Sequence, residues 1–183
     1  MKKKILVFPI FLLAFAMISI PVMAAPATKI EGVTLTSATT TAYYDGYPRR
    51  VSQQIVLSKG YSTGLATLDI TTVGTLYGTW NSTWFTRNKG SNWPDTEFAP
   101  EAECLIQAHV VLNFTDETTI GTFEGTSHRT IVGYPIGPAS YFETHMVLHG
   151  TGDFRGQTLK SSSEGLLLEQ IEEIYLIMPN NQN

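Results

Sequence analysis

The sequence predicts an all-β domain, and three observations predict it. Beyond residue 24 the chain is rich in Thr, Tyr, Phe, Val and Gly, a composition that suits pleated surfaces, and it is poor in segments of helical period. Stretches of strict apolar alternation recur, as they do where one face of a strand is buried. Turn signals built on Gly, Pro, Asn and Asp separate these stretches about every dozen residues, the spacing of an antiparallel sandwich or barrel. Cys104 is the only cysteine, so packing alone must hold the domain. A closed barrel leaves no exposed edge and suits an exported chain without disulfides, so a single antiparallel β-barrel is the expected architecture.

The expectation of export comes from the first residues. Lys2, Lys3 and Lys4 form a positive start, an apolar run follows from Ile5 to Ile20, and Pro21 breaks it. Val22-Met23-Ala24 then places small residues at the −3 and −1 positions of a leader-peptidase site. Residues 1–24 read as a cleaved signal peptide and residues 25–183 as one barrel domain, secreted or held in the cell envelope. A retained anchor is the weaker reading, because the apolar run is at the short end for a span and a cleavage pattern follows it. Beyond Ala24 no segment is long and apolar enough to cross a membrane as a helix.

The strands follow in order. Residues 33–44 are Thr-rich, and residues 51–57 follow the turn-prone Asp45-Gly46-Tyr47-Pro48. Residues 65–73 and 75–85 form one stretch broken at Gly74 and Gly78, with Lys59-Gly60 as the turn before it. Residues 88–101, with Gly90, Pro94 and Pro100, read as a loop. Cys104, Ile106, Ala108, Val110, Leu112 and Phe114 share one strand face and Leu105, Gln107, His109, Val111 and Asn113 the other. After an Asp116-Glu117 turn, residues 118–131 carry Gly121 and Gly125, each a signal for a bulge or tight bend. A further turn spans residues 133–138; then Phe142, Thr144, Met146 and Leu148 oppose Glu143, His145, Val147 and His149. The C-terminal end reads two ways. Leu167, Leu168, Ile171, Ile174, Tyr175 and Met178 fit a helix face behind a Ser161-x-x-Glu164 capping box. Residues 157–163 and 175–178 fit a hairpin turning at Glu164-Gly165, which is the favoured reading.

Charge excludes one class of partner. Three of the 12 Lys and Arg lie in the leader, which leaves nine against 16 Asp and Glu and a net charge of about −7. There is no basic stripe, so nucleic-acid binding is disfavoured. Asn81-Ser82-Thr83 and Asn113-Phe114-Thr115 are glycosylation sequons, which matter only in a host with the machinery.

Several chemistries fail on spacing. Gly150-x-Gly152 lacks the third glycine of a dinucleotide turn, since Arg155 stands there. No Gly-rich phosphate loop occurs, and Gly125-Thr126-Ser127-His128-Arg129 lacks the last glycine of a nucleophile elbow. His145 and His149 would share a metal on a helix, but on a strand they stand about 13 Å apart. A metal at Glu143 and His145 would need His109 or His128 from a neighbour, so these residues read as outward polar side chains and neither a metal nor a cofactor is expected. Cys104, in phase with apolar neighbours, reads as a buried structural thiol.

Two features remain. Asp69 and Glu124 interrupt apolar strands; turned inward, either would have a raised pKa and act as a general acid or base, whereas an outward carboxylate is the default. The tryptophans cluster at Trp80, Trp84 and Trp93, flanked by Tyr77, Phe85 and Phe98. Trp80 and Trp84, four apart, share a strand face with Ser82. They either cap the core or line a surface for an apolar ligand or sugar ring. Gly78-Thr79-Trp80 resembles the Gly-x-Trp of lipocalins, although that motif belongs on a first strand.

The turn Gly150-Thr151-Gly152-Asp153-Phe154-Arg155-Gly156 resembles the Gly-Thr-Gly-x-Phe turn of the allene oxide cyclase and dirigent superfamily, above all its uncharacterised exported microbial branch. The strand at 118–124, Thr-Thr-Ile-Gly-Thr-Phe-Glu, and that at 143–150 fit the same layout, so the resemblance covers about residues 100–165. It implies an eight-stranded barrel with an apolar interior for a small hydrophobic molecule, and it allows a homo-oligomer. Plant members act on oxidised fatty acids or steer phenoxy-radical coupling, but no set of polar residues here matches theirs one by one. The glycines of the turn are also explained by backbone that needs positive φ and close approach.

The expected function is therefore an exported barrel that binds a small hydrophobic molecule, lined in part by Tyr77, Trp80, Trp84 and Phe123. The alternatives are an isomerase or cyclase using Asp69 or Glu124 on an apolar substrate, and a surface adhesion or glycan-binding module using exposed tryptophans.

Overall fold

A computed structural model describes residues 27–179, except 47, 53–54, 91–98, 116–118, 135–137 and 167–170. The leader at 1–24, Trp93, Phe98 and the Asp116-Glu117 turn lie outside the described residues. Those described form ten strands and no helix: β1 (Thr28–Ile30), β2 (Val33–Tyr44), β3 (Arg49–Ser52), β4 (Ile55–Ile70), β5 (Gly74–Lys89), β6 (Ala99–Thr115), β7 (Ile120–Tyr134), β8 (Tyr141–Gly152), β9 (Thr158–Leu166) and β10 (Ile171–Met178). All pairs are antiparallel, in the order β1-β10-β9-β8-β7-β6-β5-β4-β2, with β3 also on β4. From β4 to β10 each strand pairs with its sequence neighbours, the arrangement that short turns produce.

The sheet differs from the expected barrel in two respects. It has ten strands where eight are expected, and its ladder does not close, because β2 and β10 are not hydrogen-bonded to each other. The ends are joined through the chain instead. β1 pairs with the end of β10 and β2 with β4, and only Glu31 and Gly32 separate the two strands. Gly32 has a φ of 72°, and its carbonyl accepts hydrogen bonds from the backbone N and Oγ1 of Thr71 at 3.2 and 2.8 Å. A side chain there would be strained and would stand 2.7 Å from Thr71 Oγ1.

The alternation read from β6 and β8 is the inner and outer face of this sheet. Cys104, Val110, Leu112 and Phe114 are buried, as are Phe142, Thr144 and Leu148, while Glu143, His145 and His149 are exposed. Inward residues from β2 to β10 share one core, among them Val33, Leu68, Leu112, Phe123, Leu148 and Leu176. Its end is stoppered by Phe154 from the turn after β8, which stacks on Phe123 at 4.6 Å and meets Phe114 edge-on at 6.0 Å. The glycine-rich turn at 150–156 therefore serves packing. Asp153 Oδ2 accepts from the backbone N of Ile120 at 2.7 Å, which fastens the turn to the start of β7.

Several local expectations change. Lys59-Gly60 is not a turn but lies inside β4, and Gly78 lies inside β5; the break between them is the turn at Thr71, Thr72 and Val73. The expected strand at 51–57 is divided between β3 and β4. Gly121 and Gly125 sit in regular pairing, whereas the register shifts fall at Thr39/Thr41, Arg50/Ser52 and Ala99/Glu103. The C-terminal segment is a hairpin, with β9 and β10 paired from Ile171↔Glu164 to Ile177↔Thr158, but Glu164 and Gly165 lie inside β9 and are not its turn.

Candidate functional site: an amphiphilic cavity

Beyond the packed core, the inner face surrounds a cavity of about 510 Å³ that is partly open to solvent. This is within the range of small-molecule sites. The cavity exists because the inward residues change character along the strands. On β4 the buried Leu68 and Ala66 give way to Gly64, Ser62, Gly60 and Ser58, which are too small to fill the interior.

Trp80 and Trp84 are on its wall, as their four-residue spacing requires. Each lies opposite a glycine of β4, Trp80↔Gly64 and Trp84↔Gly60, and covers it. Trp84 Nε1 donates to Ser62 Oγ at 3.0 Å, Trp80 Nε1 donates to the Ala38 carbonyl at 3.3 Å, and Tyr44 meets Trp84 edge-on at 5.1 Å. The ring nitrogens are thus satisfied and the apolar parts of the rings remain for a ligand. Ile106, Ala108 and Val110 of β6 and Met146 of β8 supply further apolar wall.

The other expected site residues lie elsewhere. Tyr77 is 70% exposed on the outer face, and Phe123 is fully buried in the core beneath the cavity. Asp69 and Glu124 are exposed and turned outward. Asp69 accepts a hydrogen bond from Thr75 Oγ1 at 3.2 Å, and Glu124 pairs with His109 at 3.0 Å. His145 and Glu143 pair at 3.0 Å on the outside of β8. Among the described residues no three His, Cys, Asp or Glu side chains converge on one point. Cys104 does line the cavity, but burial pushes its thiol up to about 11, so it is protonated and a poor nucleophile at neutral pH.

Compared with protein-family models, curated proteins and solved structures, the chain matches none. The site must be read from its own residues.

Two of these residues escape a reading of the sequence. Arg129 is in phase with Phe123 and Ile131 on β7 and lines the cavity, although its side chain remains exposed to solvent. Its Nε donates to Thr144 Oγ1 at 3.1 Å. Desolvation draws the guanidinium below its ordinary pKa while Glu172 opposes the shift, and the group stays charged. Asn88 is inward on β5, in phase with Trp84 and Thr86, and is 9% exposed. Its Oδ1 is buried without a hydrogen-bond partner. Phase along each strand was the available signal: counting in twos from Ile131 or Trp84 places both inward. Polarity alone points the other way.

Between these groups run the hydroxyls of Ser58 and Thr86, hydrogen-bonded to each other, and those of Ser62, Ser82 and Ser127. The arrangement offers stacking surface, hydrogen bonds and one positive charge. That is suited to holding a molecule; among the described residues of the wall none is a carboxylate.

Proposed function

We propose that this chain is an exported binder of a small hydrophobic molecule, held in the cavity against Trp80 and Trp84. The observation that carries the reading is a cavity of about 510 Å³ whose wall combines these indoles with Ile106, Ala108 and Met146. Residues of the cavity wall come from β2, β4, β5, β6, β7 and β8, so the site needs the whole curved sheet and not one loop. The leader at 1–24 supports export and the Gly-Thr-Gly-x-Phe turn supports kinship with allene-oxide-cyclase-like barrels; both are part of this proposal. The two alternative readings have less support. An isomerase or cyclase would need Asp69 or Glu124 in the cavity, and both face outward. An adhesion module would need Trp80 and Trp84 on the outside, and both face inward.

Native mass spectrometry of residues 25–183, purified from the natural host's medium or envelope, tests the reading. A discrete extra mass lost on denaturation is expected. A bare protein mass, together with no uptake of N-phenyl-1-naphthylamine by the folded protein, would overturn it.

A further inference from the structure

Arg129 is an unusual wall residue. It lines the cavity while its side chain stays solvent-exposed, so its charge needs no buried counter-ion there. One nitrogen, Nε, is satisfied by Thr144. Glu172 is the acidic residue whose charge it feels, and the register Thr144↔Ser163↔Glu172 puts that residue on the same inner face. Among the described residues, however, Arg129 forms no ion pair. Among the described residues the terminal nitrogens of the guanidinium have no partner, which leaves them open to a solute in the fork geometry that matches a carboxylate or sulfonate.

Asn88 adds an independent observation. Its Oδ1 is a buried acceptor with no donor, and it lines the same cavity. Such an atom carries a desolvation cost unless a ligand donates to it. Asn88 pairs with Cys104 and Arg129 with Ile106, so they stand on either side of β6 and two residues out of register, their backbones about 12 Å apart. Apolar wall thus lies between an anion-binding group and an acceptor.

We infer that the ligand is an anionic amphiphile: its carboxylate or sulfonate head sits on Arg129, its apolar body lies along Ile106, Ala108 and the Trp84 ring, and an N–H or O–H of the ligand donates to Asn88. This rests on the proposed function and specifies the chemical class of its ligand. The anion pairs with the guanidinium, and the donor satisfies Asn88 Oδ1, the buried acceptor left open among the described residues.

Two fluorescent probes that share an aromatic body and a bridging N–H test the inference: 8-anilino-1-naphthalenesulfonate, which carries an anion, and N-phenyl-1-naphthylamine, which does not. Both are titrated into the wild-type protein, Arg129→Gln and Arg129→Lys, with circular dichroism to establish that each variant is folded. The wild type is expected to prefer the sulfonate by about tenfold or more, the effect of one charge-assisted hydrogen-bonded pair. Arg129→Gln should abolish that preference by weakening the sulfonate probe about tenfold more than the neutral probe, and Arg129→Lys should restore part of it. Equal affinity of the wild type for both probes, or a sulfonate preference that survives in folded Arg129→Gln, would overturn the anionic head while leaving the cavity reading intact. Failure of both probes to bind would overturn the cavity reading itself.

Discussion

The ring of Trp84 lies over Gly60, its partner on the neighbouring strand, so closely that a β-carbon at Gly60 would stand 2.5 Å from the indole. It would also collide with the Tyr43 carbonyl on the other side. The same relationship joins Trp80 to Gly64 two strand periods along. The glycines let large rings enter the interior without pushing the strands apart, a device common to strongly curved sheets. Gly60→Ala should therefore cost about 1–3 kcal/mol through overpacking. Urea unfolding at constant m-value would measure it, and Gly64→Ala should behave alike. A loss below about 0.5 kcal/mol would show that the rings are not held against the glycines.

Phe154 is the opposite case, a side chain that the turn exists to deliver. It is buried between Phe123 and Phe114 at the end of the core. Phe154→Ala should cost about 3–5 kcal/mol, the range for removing a buried ring. Because the cavity lies toward the other end of the interior, the neutral naphthylamine probe should still bind to the folded fraction. A stability change below about 1 kcal/mol would mean that the turn does not plug the core.

Asp69 and Glu124 serve to separate binding from catalysis. Both are exposed on the outer face, and the His109–Glu124 pair has side chains about half exposed. A pair of that kind contributes about 0.2–1 kcal/mol and is screened by salt. Asp69→Asn and Glu124→Gln should leave probe binding unchanged and shift stability by less than about 1 kcal/mol. Loss of binding in either variant would mean that the carboxylate reaches the interior.

Much of this fold was legible in the sequence because a strand's period of two survives any curvature. The partition of β6 and β8 into two faces and the shared face of Trp80 and Trp84 follow from it. What local signals conceal is the three-dimensional reason for a residue. Lys59-Gly60 looks like a turn, yet Gly60 is there to receive Trp84 from another strand. Gly121 and Gly125 look like bulges, yet they leave room for Phe154 and for the backbone of Val147. The separation of β2 from β10 depends on how far the whole sheet coils, which no window of sequence records. Tyr77 and Phe123 illustrate the limit for the site. Both are aromatic and near the tryptophans in the pattern, but Tyr77 is out of phase with Trp80, and Phe123, although in phase, falls on the packed side of the core.

Cys104 gives the fold a measurable dependence on alkaline pH. Its thiol is raised by burial from 9.0 to about 11. Between those values the unfolded chain has lost the proton and the folded chain still holds it, so the folded state binds more protons and its stability must fall as pH rises. Below pH 9 the two states are protonated alike and the contribution is flat. Two pKa units correspond to about 2–3 kcal/mol at most. Other groups titrate in the same range, so the informative quantity is the difference between wild type and Cys104→Ala. The variant should start less stable by a roughly constant packing cost and gain on the wild type by about 2 kcal/mol as pH is raised from 8 to 11. In the folded wild type the thiol should also react slowly with a disulfide reagent at pH 8 and quickly after unfolding. Parallel stability curves for the two proteins would mean that the thiol is solvated through the cavity, because a solvated thiol would titrate alike in both states.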